Sequence, residues 1–523
     1  MVATVSAWLS RELARLSAAR VWGVAFVTAL SAGLLIQLFI LPVLLPSYHS
    51  GHGILAANDA LSFHKAAVTM AQEIGQEGWG AWVLAPGGVA PIGIMAAAYV
   101  FLPCEPYVIL PLYAAVFAVG AASLFAALRL CGFSRKAAGS GVLGLLLLPS
   151  GTMIYAIPHK DVFFVGGNLL FVYALLRLAM VSETGGPEPR FSLCGSFLLG
   201  IWGASLVWLV RPYGIEVMLG AGGLVALTAT LSSVSDLLRR RPVPIGWPGR
   251  LLVLWLLVVL LKPWGDGQFS FGTAGDWSLG ESEQPLAPAV SGPASVAPAV
   301  SGPASVAPAA SGPASVAPAA SVPTPAAPAI SPTGWQFSGF LPLFLENKVE
   351  RLAATRTGWA NEHAASASAI DLTVRFVSVR EMVGYLPRAA QIGLFAPFPA
   401  DWFQEGAQVT SKFMRRLSSV EMTLWYLLFP FALLAPFLGR RRLGLALLGI
   451  YAFSSILVFV VAIPNVGTLY RIRYGPWMLL FSSGVAMAVT MAEEWRRQRE
   501  RAANPHRDSG GTPDGPVGPP CAA

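Results

Sequence analysis

The stretch PGGVAPIGIMAAAYVFLP, which runs from Pro86 to Pro103, decides how this chain is threaded through a membrane. A membrane-spanning helix needs about 20 largely apolar residues. The apolar run 89–103 is shorter than that, and Pro91 and Gly93 interrupt it. If the run crosses the bilayer, every later segment changes sides. If it does not, residues 46–105 form one loop on a single side.

The composition of the whole chain indicates an integral membrane protein. The 523 residues are 55% hydrophobic and 12% charged, whereas soluble proteins carry about 25% charged residues. The 53 glycines and 41 prolines argue against a plain bundle of uninterrupted spans, because both residues concentrate at turns and re-entrant segments. An ordinary soluble enzyme is therefore excluded.

Hydropathy predicts an all-α polytopic protein with about ten transmembrane helices. Each candidate segment is largely apolar and close to the length of a bilayer span. The predicted spans lie at roughly 21–45, 107–128, 138–157, 162–181, 194–210, 214–232, 250–263, 420–438, 443–463 and 476–492.

The Lys and Arg residues between the spans orient the chain, because short cytoplasmic loops carry an excess of them. If the run 89–103 does not cross, every basic cluster falls on the cytoplasmic side: Arg11/Arg15/Arg20, Arg129/Arg135/Lys136, Arg239/Arg240/Arg241/Arg250, Arg440/Arg441/Arg442 and Arg496/Arg497/Arg499/Arg501. If it does cross, all clusters after the first face outward. We therefore predict a multi-pass protein of the bacterial inner (cytoplasmic) membrane with both termini cytoplasmic. The first outer loop, 46–105, then contains an interfacial or re-entrant helix.

The same patterns divide the chain into five regions. An imperfect ten-residue repeat, AVSGPASVAP, has neither charges nor large apolar side chains and predicts a disordered Pro/Ala/Ser-rich spacer. After the spacer, apolar residues recur at helical intervals among charged ones, which predicts amphipathic helices on the outer membrane face. The predicted regions are an N-terminal transmembrane module (1–263), the linker (264–334), the outer amphipathic segment (335–419), C-terminal transmembrane helices (420–492) and a disordered cytoplasmic tail (493–523).

Seven ionisable residues at outer span ends are the candidate site, because polar groups at membrane level are costly and often functional. We assign catalysis to Asp59 and Asp161, and phosphate or substrate binding to His159, Lys160, Arg211, Arg471 and Arg473. A carboxylate can act as general base on an acceptor hydroxyl, and the cations can stabilise a phosphate as a glycosidic bond breaks.

Each of these residues also has a structural interpretation. Asp59 can cap the helix that starts at Ala60, and Lys160 with Asp161 can form a salt bridge at the rim. Arg211 can pair with Glu216. Arg471 and Arg473 can contact lipid headgroups.

No metal site is predicted. His49, His52 and His64 lack the compact spacing and carboxylate support of metal ligands, and the four cysteines match neither a metal motif nor a disulfide framework. The need for a divalent metal stays open.

The order of these features resembles the GT-C membrane glycosyltransferases, in particular the branch of protein O-mannosyltransferases and aminoarabinose transferases. The features are Asn58-Asp59 in the first outer loop, the run PGGVAPIGIMAAAYVFL, the basic turn RLCGFSRK, the second outer acid in YAIPHKDVFF and the late TLYRIRYGPWMLL. The resemblance covers roughly residues 20–235 and, loosely, the last 60. It implies a polyprenyl-phosphate sugar donor used at the outer face, with Asp59 as the catalytic acid and Asp161 beside it.

Two departures from that family leave other functions open. Only Pro91 remains of the family's usual proline pair, and LFAPFPADW has no counterpart. PHKDV, LVRPYG and LFAPFP also resemble bacterial polysaccharide-locus proteins, so a Wzy-type polymerase or ligase acting on lipid diphosphates is an alternative. A transporter would need repeated span groups, which the sequence lacks, and a receptor without chemistry is a further alternative. The expected partners are the lipid-linked sugar, a glycan, lipid or protein acceptor and membrane lipids, without nucleic acid.

Overall fold

The structure, a computed structural model, describes residues 16–56, 59–180, 193–240, 247–262, 334–364, 366–404, 409–439 and 442–503. The predicted linker falls outside the described residues except for Gly334, and so does the predicted tail from residue 504 onward. The described residues form α-helices, short 3₁₀ and π segments and isolated β-bridges, with no β-strand among them.

Sixteen α-helices make up the described part of the chain. In chain order they are α1 (Ala18–Leu35), α2 (Asp59–Glu77), α3 (Ala90–Tyr99), α4 (Leu110–Leu130), α5 (Arg135–Leu147), α6 (Pro149–Ala156), α7 (Asp161–Ala179), α8 (Leu193–Val210), α9 (Gly214–Leu238), α10 (Trp247–Val259), α11 (Leu343–Glu362), α12 (Val379–Phe395), α13 (Val409–Leu438), α14 (Arg442–Ala462), α15 (Val466–Ile472) and α16 (Tyr474–Ala503).

Eight of the described helices are long and apolar enough to cross a membrane. They are α1 with its π-helical extension Ile36–Leu44, α4, α7, α8, α9, α13, α14 and α16. The described part of the chain is therefore all-helical with eight candidate membrane-spanning helices, which indicates a multi-pass membrane protein. The predicted count of ten spans is not confirmed.

The two remaining predicted spans differ from a straight helix of full length. The span predicted at 138–157 consists of α5 and α6, which are bent by 64° at a break. Pro149 causes the break, because a proline disfavours the α conformation in the residue before it, and Leu148 is extended there with ψ 136°. The span predicted at 250–263 corresponds to α10, which has 13 residues.

Helix α7 occupies the centre of the bundle, and 89% of its 18-residue apolar stretch is buried. Two adjacent glycines let its neighbours approach closely. A Cβ on Gly166 would lie 2.8 Å from a backbone oxygen of Val116 in α4, and one on Gly167 would lie 2.6 Å from the carbonyl oxygen of Gly203 in α8. Small residues at helix contacts are the usual device for tight packing in membranes.

The segments that the sequence places on the outer face pack against this bundle. Helix α3 has ten residues, about half the length that a bilayer span requires, and it lies against α2. Helices α11 and α12 both contact α14. Helix α13 begins at Val409, so the predicted boundary at residue 419 lies inside this helix.

Candidate functional site

The turn between α6 and α7 provides the centre of the candidate site. Pro158 sets the end of α6, since the residue before a proline favours an extended conformation, and Ile157 has φ −118° and ψ 137°. His159 and Lys160 follow, and Asp161 is the first residue of α7. A carboxylate at this position is favoured by the partial positive charge at a helix N-terminus.

Two polar side chains from other helices hold α6 at both ends. Gln37 Nε2 donates to the carbonyl oxygen of Ala156 at 2.7 Å. At the other end, the backbone N–H of Ser150 donates to Glu421 Oε1 at 2.5 Å, and the hydroxyl of Tyr470 donates to Glu421 Oε2. These bonds satisfy groups that a broken helix would leave unpaired inside a membrane. They also fix the direction in which α6 leads into the site.

His159 lies between the two predicted catalytic acids. Its Nε2 is 3.3 Å from Asp59 Oδ2, and its Nδ1 is 3.0 Å from Asp161 Oδ2. The second contact has the distance of an ion pair but not the alignment of a hydrogen bond. Since a single imidazole ring separates the two carboxylates, they lie within about 9 Å of each other, a separation at which two acids can share one sugar substrate.

The two acids differ in their surroundings. The Asp161 side chain is 5% exposed, and its Oδ1 is 2.5 Å from Arg211 Nη2. Asp59, the first residue of α2, has a side chain that is 55% exposed. The hydrogen bond from His159 holds the pKa of the Asp59 carboxyl well below its usual range. Asp59 is therefore the ionised carboxylate that a substrate can reach, and Asp161 is a buried, paired one.

Arg471 completes this cluster from α15. Its Nη1 lies 3.7 Å from Asp59 Oδ2 and 3.4 Å from His159 Nε2. The imidazole Nε2 thus faces an acceptor, the carboxylate, and a donor, the guanidinium. It can hold a hydrogen for the first or accept one from the second. We name Asp59, His159, Asp161, Arg211 and Arg471 the acid–histidine cluster.

Lys160 stands beside the cluster as an available cation. Among the described residues, its ammonium group forms no hydrogen bond or ion pair. Burial lowers the pKa of Lys160 to about 8, and the positive charge of Arg211 acts in the same direction. An incoming anion would satisfy this group and raise its pKa again.

A cavity of about 80 Å³ adjoins the cluster. His159, Asp161 and Arg471 line one part of it, and the rest of its wall comes from Leu55, Ser150, Met153, Ile154, Ile157, Met414, Tyr470 and Tyr474. The cavity therefore combines charged groups with a largely apolar wall. This combination suits a molecule that has both an anionic and an apolar part.

The structure does not bring Arg473 to the cluster. This arginine is 1% exposed, and its guanidinium donates to the carbonyl oxygens of Ile392, Gly393 and Ala396 at the end of α12. Burial lowers the pKa of Arg473 to about 10. Its contacts hold α12 against α16 and leave no donor directed toward the acids.

The histidines of residues 46–105 have polar partners outside the acid–histidine cluster. His49 Nε2 accepts from the backbone N–H of Gly53 at 2.9 Å, His52 pairs with Glu105 at 3.1 Å, and His64 bonds the hydroxyl of Tyr99 at 2.9 Å. Within the ranges that the structure describes, no group of three or more His, Cys, Asp or Glu side chains could hold a metal ion.

Sequence reasoning missed Gln37, Glu421 and the two tyrosines of the cavity wall. A signal was present for the first two residues, because each is a polar group inside a predicted apolar span, and such residues point to a structural or functional contact. The tyrosines gave none, since an aromatic residue at a span end is usual in membrane proteins.

Comparison with known proteins adds no relative: no protein-family model, curated protein or solved structure matches the chain. The resemblance to GT-C transferases therefore depends on the residues quoted for it, and the function has to be argued from the site.

Proposed function

We propose that the chain is a membrane glycosyltransferase that moves a sugar from a polyprenyl-phosphate donor to an acceptor hydroxyl, in cell-surface glycan biosynthesis. The acceptor is a glycan, a lipid or a protein. One observation carries the proposal: His159, Asp161 and Arg471 of the acid–histidine cluster line a largely apolar cavity. Lys160 lies between His159 and Asp161 in the chain. A polyprenyl-phosphate sugar has the matching parts, namely an apolar chain, one phosphate and a ring with hydroxyls.

The charge of the site supports a donor with a single phosphate. Three cations face two carboxylates in and beside the cluster, which leaves one formal positive charge when His159 is neutral. A polyprenyl-phosphate sugar is a phosphodiester with one negative charge, whereas the diphosphate donor of a polymerase or ligase carries two. Arg211 is held by the buried Asp161 at 2.5 Å, whereas Arg471 lies 3.7 Å from Asp59 and both of these side chains are exposed. Lys160 and Arg471 are therefore the cations that can turn to the phosphate.

In the proposed transfer, Asp59 takes the proton of the acceptor hydroxyl as that oxygen attacks the anomeric carbon. The bond between the anomeric carbon and the phosphate oxygen breaks, and its electron pair leaves with the phosphate. Lys160 and Arg471 stabilise the negative charge that develops there. The proton then passes from Asp59 to the released polyprenyl phosphate, and His159, whose Nε2 is 3.3 Å from Asp59 Oδ2, holds the carboxyl group in place. Asp161, which Arg211 holds in place, orients the imidazole.

We also propose that the cluster lies at the outer face of the bacterial inner membrane, with both termini cytoplasmic and ten spans. The bent pair α5–α6 and the short α10 would be the two additional spans. Support for α10 comes from Lys348 in α11, whose Nζ is 2.5 Å from Glu216 Oε1 in the first turn of α9. Helix α9 leads away from that end, so the chain has to return before α11 begins. Within the described ranges, α10 is the one helix between them.

The test is sugar transfer by the purified protein in liposomes, with labelled undecaprenyl-phosphate sugars as donors and extracted membrane lipids and glycans as acceptors. Replacing Asp59→Asn should lower the transfer rate by about 100-fold or more, which is the usual contribution of a positioned base. The matched control is Glu73→Gln, because Glu73 is an exposed carboxylate on the same helix α2.

Full transfer by the Asp59→Asn protein would remove the basis of the proposal. The polymerase alternative makes a different prediction. Transfer from undecaprenyl-diphosphate glycans should then depend on Arg471 and not on Asp59. Arg471→Ala should therefore change the length of the glycan chains, whereas Asp59→Asn should not.

A further inference from the structure

The inner wall of the cavity carries polar groups that the proposed transfer does not use. Tyr470 and Tyr474 line this wall, in α15 and at the start of α16. The Tyr470 hydroxyl donates its hydrogen to Glu421. The Glu421 side chain is fully buried and has no cation partner among the described residues. The hydrogen of Tyr470 is thus directed at Glu421, and the phenolic oxygen can act as an acceptor.

The hydroxyl of Tyr474 is buried without a completed hydrogen bond to any described residue. It lies against the backbone of Gly151 in α6. Because a backbone N–H can only donate, the hydrogen of the Tyr474 hydroxyl has no acceptor there. A buried polar group without a partner destabilises a fold. Such a group is expected at the wall of a binding cavity, where the ligand completes the bond.

We propose that Tyr474 and Tyr470 form a hydroxyl-binding subsite that holds the sugar of the donor while Lys160 and Arg471 hold its phosphate. This inference rests on the proposed function. Tyr474 supplies a hydrogen-bond donor and Tyr470 an acceptor, and a sugar hydroxyl can pair with both.

The size of the cavity agrees with such a subsite. Its volume of about 80 Å³ exceeds the roughly 10–15 Å³ that one water molecule requires. It therefore has room for several waters or for the sugar hydroxyls that replace them. Arg471 lines the same cavity, so the phosphate of a bound donor can lie at the rim while one edge of its sugar reaches the tyrosines.

The experiment measures equilibrium binding to the detergent-solubilised protein of undecaprenyl phosphate and of undecaprenyl-phosphate hexoses and pentoses. In the wild type, at least one sugar should tighten binding about 10-fold over the bare lipid phosphate. Tyr474→Phe should reduce this sugar-dependent gain by about 3- to 10-fold, the effect of one hydrogen bond. Affinity for the bare lipid phosphate should not change. Tyr470→Phe is the second variant and should also reduce the gain.

The control is Tyr451→Phe. The hydroxyl of Tyr451 is also buried but accepts a hydrogen bond from Asn168 Nδ2 at 3.0 Å, so its loss should lower the melting temperature without changing the sugar-dependent gain. If Tyr474 only supports the fold, Tyr474→Phe will behave in the same way, and the subsite is refuted. A wild type that binds the bare lipid phosphate without any sugar preference refutes the subsite alone. A protein that binds none of these lipids refutes the proposed function and the subsite together.

Discussion

Replacing Arg211 by methionine tests how the acid–histidine cluster is held together. The Arg211 and Asp161 side chains are 6% and 5% exposed, and their charged atoms are 2.5 Å apart. Removing one member of a buried ion pair costs about 3–5 kcal/mol, because the other charge stays buried without compensation. Since His159 remains beside Asp161, we expect the lower end of this range, about 3 kcal/mol.

The assay is thermal unfolding of the purified protein in detergent. A loss of about 3 kcal/mol should lower the melting temperature by about 3 °C in a chain of this size. Adding Asp161→Asn to the Arg211→Met protein removes the uncompensated charge, so the double variant should recover most of the loss. An Arg211→Met protein with the wild-type melting temperature would refute the reasoning, and so would a double variant less stable than the single one.

Three further predictions concern the phosphate, α12 and the helix contacts. Because the pKa of Lys160 is about 8, this residue is cationic below that pH and neutral above it. The affinity for an undecaprenyl-phosphodiester sugar should therefore fall about 10-fold as the pH rises through 8. In a binding titration, Lys160→Arg should abolish this fall. Arg473→Met should lower the free energy of unfolding by about 3 kcal/mol, because three carbonyl oxygens lose their donor. The same substitution should change the affinity for the lipid phosphate less than twofold. A large loss of affinity with unchanged stability would contradict the structural role of Arg473. Gly203→Ala places a Cβ 2.7 Å from the carbonyl oxygen of Gly167 and should clearly lower the melting temperature. In Gly220→Ala the new Cβ meets nothing within 4 Å, so the melting temperature should not change. Equal melting temperatures of the two variants would contradict the close packing of α7 on α8.

Hydropathy predicted most of the helices because a bilayer imposes one simple rule, a long apolar segment, on each span. It did not predict the break in the span at 138–157. Pro149 is visible in the sequence, but prolines are tolerated inside membrane helices when other groups satisfy the freed backbone. Pro430 and Pro436 lie within α13, for example. Whether a proline bends or breaks a helix depends on partners such as Glu421, which is 271 residues away from Ser150 in the chain.

In the candidate site, too, the sequence predicted some positions and not others. Residues 59, 159, 161, 211 and 471 share one expected property, a charge or imidazole at an outer span end, and the structure brings them together. Arg473 shares that property but lies elsewhere. It is two residues from Arg471 in a helical stretch, about 200° around the helix axis, so the two guanidinium groups face different neighbours. The position of a residue along the chain predicted at which end of the bundle it lies. Its angular position around the helix axis decided whether its side chain reaches the acids.

The most direct measurement is a cryo-electron microscopy structure of the full chain in lipid nanodiscs with an undecaprenyl-phosphate sugar bound. The phosphate should lie within about 4 Å of Lys160 Nζ and of the Arg471 guanidinium, a distance typical of an ion pair, and the anomeric carbon should face Asp59. Density for the phosphate away from both cations, or for Asp59 and Asp161 at opposite ends of the bundle, would contradict a shared site for sugar transfer.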